Sequence, residues 1–90
     1  MKTIRLTKKF EKAYSKRIGN NPKLRSSYMD RVALFQLGER GYPLNDHELA
    51  GKLVGKKSFS ITPDIRVIYE ETALEITFLD IGTHNQVYGK

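Results

Sequence analysis

The stretch Ser58-Phe59-Ser60-Ile61-Thr62-Pro63-Asp64-Ile65-Arg66-Val67-Ile68-Tyr69 decides the fold, because its pattern is typical of two strands joined by a tight turn. Apolar and polar residues alternate on both sides of Thr62-Pro63-Asp64, whose residue types favour a turn. A three-residue loop at this point pairs Ser60 with Arg66 across the two strands. We therefore expect Ser58, Ser60 and Arg66 on one face of the hairpin, with its apolar residues on the other.

Further strands are predicted on either side of this hairpin. A third strand of the meander runs from Leu74 to Ile81, with Leu74, Ile76 and Phe78 expected on one face. At the other end of the chain, Thr3-Ile4-Arg5-Leu6 is a short alternating segment that predicts a first strand. The hairpin and these two segments together predict a sheet of four strands.

Between the first strand and the hairpin, the apolar period is that of an α-helix. Thr7 is a typical N-cap for one helix, which Gly19 ends. Asn21 followed by Pro22 begins a second helix, which ends at Gly38. The residues that the second helix is expected to bury are Leu24, Tyr28, Val32 and Phe35. The short connection predicts that the two helices form a hairpin.

The resulting order, β-α-α-β-β-β, predicts an α+β fold with a helical hairpin packed on one face of a small, mainly antiparallel sheet. Residues 1–90 are expected to form a single domain, since a chain of this length has room for one core. The segment from Tyr42 to Gly55 shows no period and predicts a loop of about 14 residues. Loops of this length in small domains are often functional.

The charge of the chain favours an acidic partner such as a nucleic acid, because the net charge is +6. Residues 1–60 contain 14 Lys and Arg against five Asp and Glu. The absence of cysteine excludes disulfides and thiolate metal sites, and the two histidines match no metal-ligand spacing. No apolar run approaches the roughly 20 residues of a membrane span, and no secretory signal is visible, so we expect a cytoplasmic protein.

Three side chains could carry acid–base chemistry near neutral pH. His84 follows the last predicted strand, His47 lies in the long loop, and Arg66 is well placed on its strand to hold a phosphate. Two histidines and an arginine can cleave RNA without a metal. The alternatives are that His84 is an exposed residue near the terminus, that His47 caps or packs, and that Arg66 forms a surface ion pair with Glu75.

Three blocks of sequence, taken together, resemble the RelE/ParE superfamily of type II toxin–antitoxin toxins, and within it the YafQ-like mRNA interferases. The resemblance covers nearly the whole chain, including its element order and its basic first half. The blocks are Leu44-Asn45-Asp46-His47-Glu48-Leu49-Ala50-Gly51, Thr62-Pro63-Asp64-Ile65-Arg66-Val67-Ile68-Tyr69 and Ile81-Gly82-Thr83-His84-Asn85-Gln86-Val87-Tyr88.

The resemblance implies a toxin that enters the ribosomal A site and cleaves translated mRNA. It further implies a metal-free reaction without a cofactor, which leaves a 2′,3′-cyclic phosphate and a 5′-OH. The partners implied are the ribosome, mRNA and a cognate antitoxin, expected to be acidic and encoded alongside. No membrane partner is implied.

The resemblance also assigns roles to single residues. His84 matches the catalytic histidine near the C-terminus, the expected general acid, and His47 matches the loop histidine. Asp64 matches the aspartate after the turn proline, and Arg66 resembles the arginine that steadies the scissile phosphate in other RelE-type toxins. Ser58 and Ser60 stand where YafQ-like toxins usually carry an aspartate and a histidine. We therefore expect His47 to be the general base, with Asp64 as the second choice.

Basic residues of the helices and the loop are expected to grip ribosomal RNA. They are Lys8, Lys9, Lys12, Lys16, Arg17, Lys52, Lys56 and Lys57. Two alternatives stay open. A ParE-like toxin would inhibit DNA gyrase by binding, although those relatives generally lack this pair of histidines. An inactive member of the family would act by binding alone, which the two serines make credible.

Overall fold

The computed structural model describes residues 2–89. One five-stranded sheet, in the order β1-β5-β4-β3-β2, has two helices packed on one face. The elements are β1 (Thr3–Leu6), α1 (Lys8–Arg17), α2 (Pro22–Gln36), β2 (His47–Glu48), a 3-10 turn (Gly51–Leu53), β3 (Lys57–Ser60), β4 (Ile65–Glu71), β5 (Glu75–Thr83) and α3 (His84–Tyr88). β1 is parallel to β5, and all other pairs are antiparallel. The predicted α+β fold is confirmed, with β2 and α3 as additions to the predicted order.

Both predicted helix starts are confirmed by side-chain caps. The Thr7 hydroxyl accepts a hydrogen bond from Phe10 N at 3.0 Å, and Asn21 Oδ1 accepts one from Leu24 N at 3.1 Å. Each cap satisfies a backbone donor that the helix leaves without a partner, and such a cap contributes about 1 kcal/mol. Along α2, Phe35 is fully buried, and the other three residues of the predicted stripe pack against the core.

The core is built from aromatic rings between the helices and the sheet. Phe35 of α2 stacks on Phe59 of β3 with centroids 4.5 Å apart, and it meets the Tyr69 ring of β4 edge-on at 4.9 Å. Phe78 of β5 and Phe10 of α1 complete the cluster at 5.4 Å from each other. Burying each such side chain contributes roughly 1.5–3 kcal/mol, so these rings fix the helical hairpin on the sheet.

The predicted hairpin register is confirmed. Ser60 pairs with Arg66, and Ile61 N donates to Ile65 O at 2.8 Å. The Thr62 hydroxyl accepts from the backbone amide of Ile65 at 3.0 Å, which closes the three-residue turn. Ser60 and Arg66 therefore share a face, because partners across a ladder point to the same side of the sheet.

The last strand differs from the prediction at its start and in its middle. Leu74 is 83% exposed and is not part of the core face, since the Thr72 hydroxyl accepts from Leu74 N and bends the chain before β5 begins. A register shift lies opposite Ile68 and Tyr69, and this β-bulge lets both Phe78 and Ile81 face the core. No helix within residues 2–89 is long and apolar enough to cross a membrane.

Candidate functional site

The face of the sheet opposite the aromatic core carries two rows of paired residues, and side chains of α1 reach this face at β5. One row is Ser60, Arg66 and Gly82, from β3, β4 and β5. The neighbouring row is His47, Ser58, Ile68 and Asp80, from β2 to β5. This face is not open along its whole length, because Ser58, Ile68 and Asp80 are all buried.

Arg66 has a donor that nothing in the described part of the chain satisfies. Its Nε is buried and makes no hydrogen bond. Glu75, the ion-pair partner considered from the sequence, is instead 3.5 Å from Arg5 Nε, and the register places it at the far end of β5. That ion pair is therefore wrong for Arg66. A buried guanidinium N–H without a partner is costly, and because this nitrogen is not accessible, an anion such as a phosphate reaches Arg66 only through the terminal nitrogens of its half-buried side chain.

His84 is the first residue of α3, not part of a tail. The Thr83 hydroxyl accepts from Gln86 N, and Gln86 Oε1 accepts from Thr83 N at 2.8 Å, which forms a capping box. The His84 ring is exposed and lies 4.4 Å from the Tyr88 ring, measured between centroids. A Cβ on Gly82 would lie 2.6 Å from Gln86 Oε1, so the glycine lets α3 fold back onto β5.

Asp64 lies in the exposed turn between β3 and β4. It immediately precedes Ile65, and Ile65 pairs with Thr83, the residue before His84. Asp64 and His84 are thus each one residue beyond the same cross-strand pair. The next cross-strand pair, one residue further into the sheet, is Arg66 with Gly82. Their Cα atoms are about 5 Å apart, as in any antiparallel ladder. We call Asp64, Arg66 and His84 the hairpin end of the site.

His47 stands apart from the hairpin end, on the edge strand β2. His47 pairs with Ser58 of β3, so β2 is two strands away from β4. His47 also lies one row further along the sheet than Arg66. Together these offsets separate the Cα atoms of His47 and Arg66 by about 12 Å. Its Nδ1 is 3.0 Å from the backbone oxygen of Asn45. Because a carbonyl oxygen only accepts, Nδ1 carries the proton and Nε2 of the neutral ring is free to accept one.

The loop that carries His47 is tied to the sheet by Asp46. The Tyr69 hydroxyl donates to Asp46 Oδ2, and Arg40 Nε lies 4.0 Å from the same oxygen. Burial raises the pKa of Asp46, against the opposing effects of the Tyr69 hydrogen bond and the Arg40 charge. Burial and the bond to Asp46 both raise the pKa of the Tyr69 phenol. Sequence reasoning missed this contact, because Tyr69 fits the apolar pattern of its strand.

The eight cations predicted to bind RNA fall into two groups. Four are within 4.0 Å of a carboxylate, and they are Lys9 and Arg17 near Asp80, Lys56 near Glu70 and Lys57 near Glu71. The other four are exposed and form no ion pair within residues 2–89, and they are Lys8, Lys12, Lys16 and Lys52. Arg17 also donates to Ile81 O at 2.9 Å and holds α1 against β5.

Comparison with protein families gives a match over residues 2–89 to the family described as the bacterial toxin of type II toxin–antitoxin systems, YafQ. Comparison with curated proteins gives no match. Within residues 2–89, no group of three or more His, Cys, Asp or Glu residues could hold a metal ion.

Several solved structures share the fold. YafQ from E. coli strain BL21(DE3) is 20% identical, with a TM-score of 0.83 over 99% of this chain and 100% of that chain. YafQ in the E. coli DinJ–YafQ complex is 21% identical, with a TM-score of 0.81 over 99% and 100%. A copper-bound mutant toxin from Helicobacter pylori is 26% identical, with a TM-score of 0.81 over 97% and 99%.

Proposed function

Because the chain belongs to the YafQ family of bacterial type II toxin–antitoxin toxins, we propose that it is a ribosome-dependent endoribonuclease that cleaves translated mRNA. The observation that carries this proposal is the pairing of Arg66 with Gly82, which places this half-buried cation two residues from Asp64 along the chain and opposite a residue two positions before His84. A guanidinium on the same end of the sheet as a carboxylate and an exposed imidazole suits a phosphodiester.

The proposed reaction is attack by a ribose 2′ oxygen on the neighbouring phosphorus. A general base takes the proton of the 2′-OH, and the new bond from the 2′ oxygen to phosphorus gives a phosphorane whose charge Arg66 stabilises. The bond from phosphorus to the 5′ oxygen then breaks, and protonated His84 gives its proton to that oxygen. The products are a 2′,3′-cyclic phosphate and a 5′-OH, so the reaction needs no water.

Two residues are candidates for the general base. We propose His47, because its Nδ1–H is held by Asn45 O and leaves Nε2 as the acceptor that a base requires. The 2′ oxygen and the leaving 5′ oxygen lie on opposite sides of one phosphorus, so this assignment requires the imidazole rings of His47 and His84 to reach toward the same phosphate from the two ends of the site. Asp64 is the second candidate, since it lies in the hairpin turn one residue beyond the Ile65–Thr83 pair.

Binding to the ribosome is proposed to rest on the basic surface of α1 and the loop. Lys8, Lys12, Lys16 and Lys52 are exposed and offer their charge directly to RNA phosphates. Lys9, Arg17, Lys56 and Lys57 contribute less by contact, because carboxylates already engage them. Since the E. coli relative is found in a DinJ–YafQ complex, we also propose that a cognate antitoxin binds this chain.

The test is cleavage by the purified protein of an mRNA translated on bacterial ribosomes, with the new 5′ ends mapped by sequencing. We expect codon-linked cuts that carry 5′-OH ends and appear only when ribosomes are present. Intact mRNA together with inhibited DNA gyrase would contradict the nuclease and support the ParE-like alternative. Intact mRNA with translation blocked would indicate a toxin that acts by binding alone.

A further inference from the structure

A cavity of about 260 Å³ lies beside the Arg66 row, between α3 and the 3-10 turn. Its walls are aliphatic and come from Leu53, Ile68, Leu79 and Val87. Ile68 lies two residues from Arg66 along β4, which places the cavity floor about 7 Å from the proposed phosphate site. We propose that this cavity binds one nucleobase of the mRNA next to the cleaved phosphate, and that Asp80 selects a base with an amino group.

The carboxylate of Asp80 supplies the polar contact at the floor. Its Oδ1 accepts from Ile81 N at 2.9 Å and from an Arg17 guanidinium nitrogen at 3.2 Å. Its Oδ2 makes no hydrogen bond within residues 2–89 and has Lys9 Nζ at 3.8 Å. Amino groups of adenine, cytosine and guanine are donors that match this acceptor, as in carboxylate contacts to cytosine N4, whereas the N3–H of uracil lies between two carbonyl oxygens that a carboxylate repels.

The same carboxylate argues against an aliphatic side chain of a protein partner as the occupant. A leucine or valine in the cavity would exclude water from Oδ2 and leave it only the charge of Lys9 Nζ at 3.8 Å, without a hydrogen-bond donor, which is costly for a charged group. A base covers the aliphatic walls with its faces and brings donors on its edge. The volume is below the about 300–1,000 Å³ of sites for drug-sized ligands, so one base is a suitable occupant.

The rim of the cavity is basic. Lys9 and Lys56 both line it, and the side chain of Lys9 is 77% exposed. An RNA strand that places a base in the cavity carries phosphates on both sides of that base. These two lysines lie where such phosphates would pass, and phosphate contacts position a strand while base contacts supply its sequence preference.

The substitution Asp80→Asn tests the assignment of the acceptor. It retains Oδ1 for Ile81 N and Arg17 and replaces Oδ2 by an amide nitrogen, which donates instead of accepting. On an mRNA library randomised at the codon in the ribosomal A site, we expect the ratio of cuts at amino bases to cuts at uracil to fall about 10-fold or more. An active, folded Asp80→Asn protein with the wild-type preference would overturn the inference.

A second variant tests the space itself. Val87→Phe fills the cavity from α3, and we expect about a 10-fold loss of cleavage through a higher KM, as for a base excluded from its site. Val54→Phe is the matched control, because Val54 is 70% exposed and does not line the cavity. Wild-type cleavage by Val87→Phe would overturn the inference. Wild-type cleavage with lost binding to an acidic antitoxin would assign the cavity to the protein partner.

The inference rests on the proposed nuclease function, and the two fail in different ways. If the wild-type protein leaves translated mRNA intact, the proposed function fails and the base site fails with it. If the wild type cleaves and neither variant changes the preference or the rate, only the base site fails. Thermal unfolding of each variant by circular dichroism separates a lost site from a lost fold.

Discussion

The two ends of the candidate site are held in different ways. At the hairpin end, Arg66 lies on a central strand, and His84 follows nine residues of β5 and begins a helix closed by its own capping box. At the other end, His47 lies on an edge strand of two residues, whose loop depends on the contact of Asp46 with Tyr69. The position of the proposed acid, His84, is therefore set by the backbone of a long central strand. The position of the proposed base, His47, depends on side-chain contacts that single substitutions can remove.

The largest effect is expected at the hairpin end. His84→Ala removes the proposed proton donor and should lower the rate of mRNA cleavage on ribosomes by about 10²–10⁴-fold. The control is Asn85→Ala, which changes the next exposed residue of α3 and should cleave like the wild type. Full toxicity of the His84→Ala protein on induction in cells would contradict the assignment of the acid.

The two candidates for the base give the next prediction. His47→Ala is expected to lower the cleavage rate about 10²-fold, the lower end of the range for an acid–base group, with a smaller loss for Asp64→Asn. The reason is that Nε2 of His47 is the free acceptor in the tautomer that Asn45 O imposes. Single-turnover rates of the two variants decide between them. A larger loss for Asp64→Asn would move the base to the hairpin end.

The dependence of His47 on its loop can be tested at Tyr69. Tyr69→Phe removes the hydroxyl that donates to Asp46 and should lower the free energy of unfolding by about 1–3 kcal/mol. A loosened loop should also lower the rate of mRNA cleavage by about 10-fold, because a small misplacement of a catalytic group slows the reaction strongly. Tyr42→Phe is the matched control, since Tyr42 is 89% exposed.

If Tyr69 acts on cleavage only by positioning His47, the double variant Tyr69→Phe with His47→Ala has a defined outcome. When His47 is already alanine, Tyr69→Phe should cost no additional cleavage, because both changes act through the same imidazole. Two independent losses that multiply would show that Tyr69 supports something other than His47.

The smallest effect is expected at Glu71, whose carboxylate forms ion pairs with Lys2 and Lys57. A hydrogen bond from Lys2, with a second from Lys57, holds the pKa of Glu71 below its usual range. Because the folded-state pKa is depressed, its contribution to stability is present above the unfolded carboxyl pKa of about 4.3 and is lost as the pH falls through the folded value. Glu71→Gln should therefore cost about 1 kcal/mol or less at pH 7.

Urea unfolding at two pH values checks this prediction. The difference between wild type and Glu71→Gln should shrink in acid, while Glu70→Gln, which lies on the same strand and is more exposed, should change little at either pH. A difference for Glu71→Gln that persists in acid would show that packing, not charge, is responsible.

Much of the fold could be predicted because its signals are local. The turn chemistry of Thr62-Pro63-Asp64 and the alternation around it determine the register that pairs Ser60 with Arg66. Thr7 and Asn21 mark the helix starts by their caps. The strand β2 could not be predicted, since two residues have no period and the pairing of His47 with Ser58 is a tertiary contact.

Other features depend on residues far apart in the sequence. Asp80 has the pattern of a surface residue, and its burial depends on Arg17, 63 positions earlier in the chain. The bulge in β5 could not be predicted either. Phe78 and Ile81 are three residues apart, so in a regular strand they would face opposite sides, and only tertiary packing brings both into the core. The candidate residues were found from the sequence, but the cavity beside them was not.

The central claim is that His84 protonates the leaving 5′ oxygen while His47 acts at the 2′-OH, and a modified RNA tests it most directly. With sulfur in place of the bridging 5′ oxygen, the leaving thiolate needs no proton. We predict that His84→Ala then cleaves this RNA on ribosomes nearly as fast as the wild type, whereas His47→Ala stays slow. If His84→Ala remains as slow on the sulfur-containing RNA as on the natural one, His84 is not the general acid.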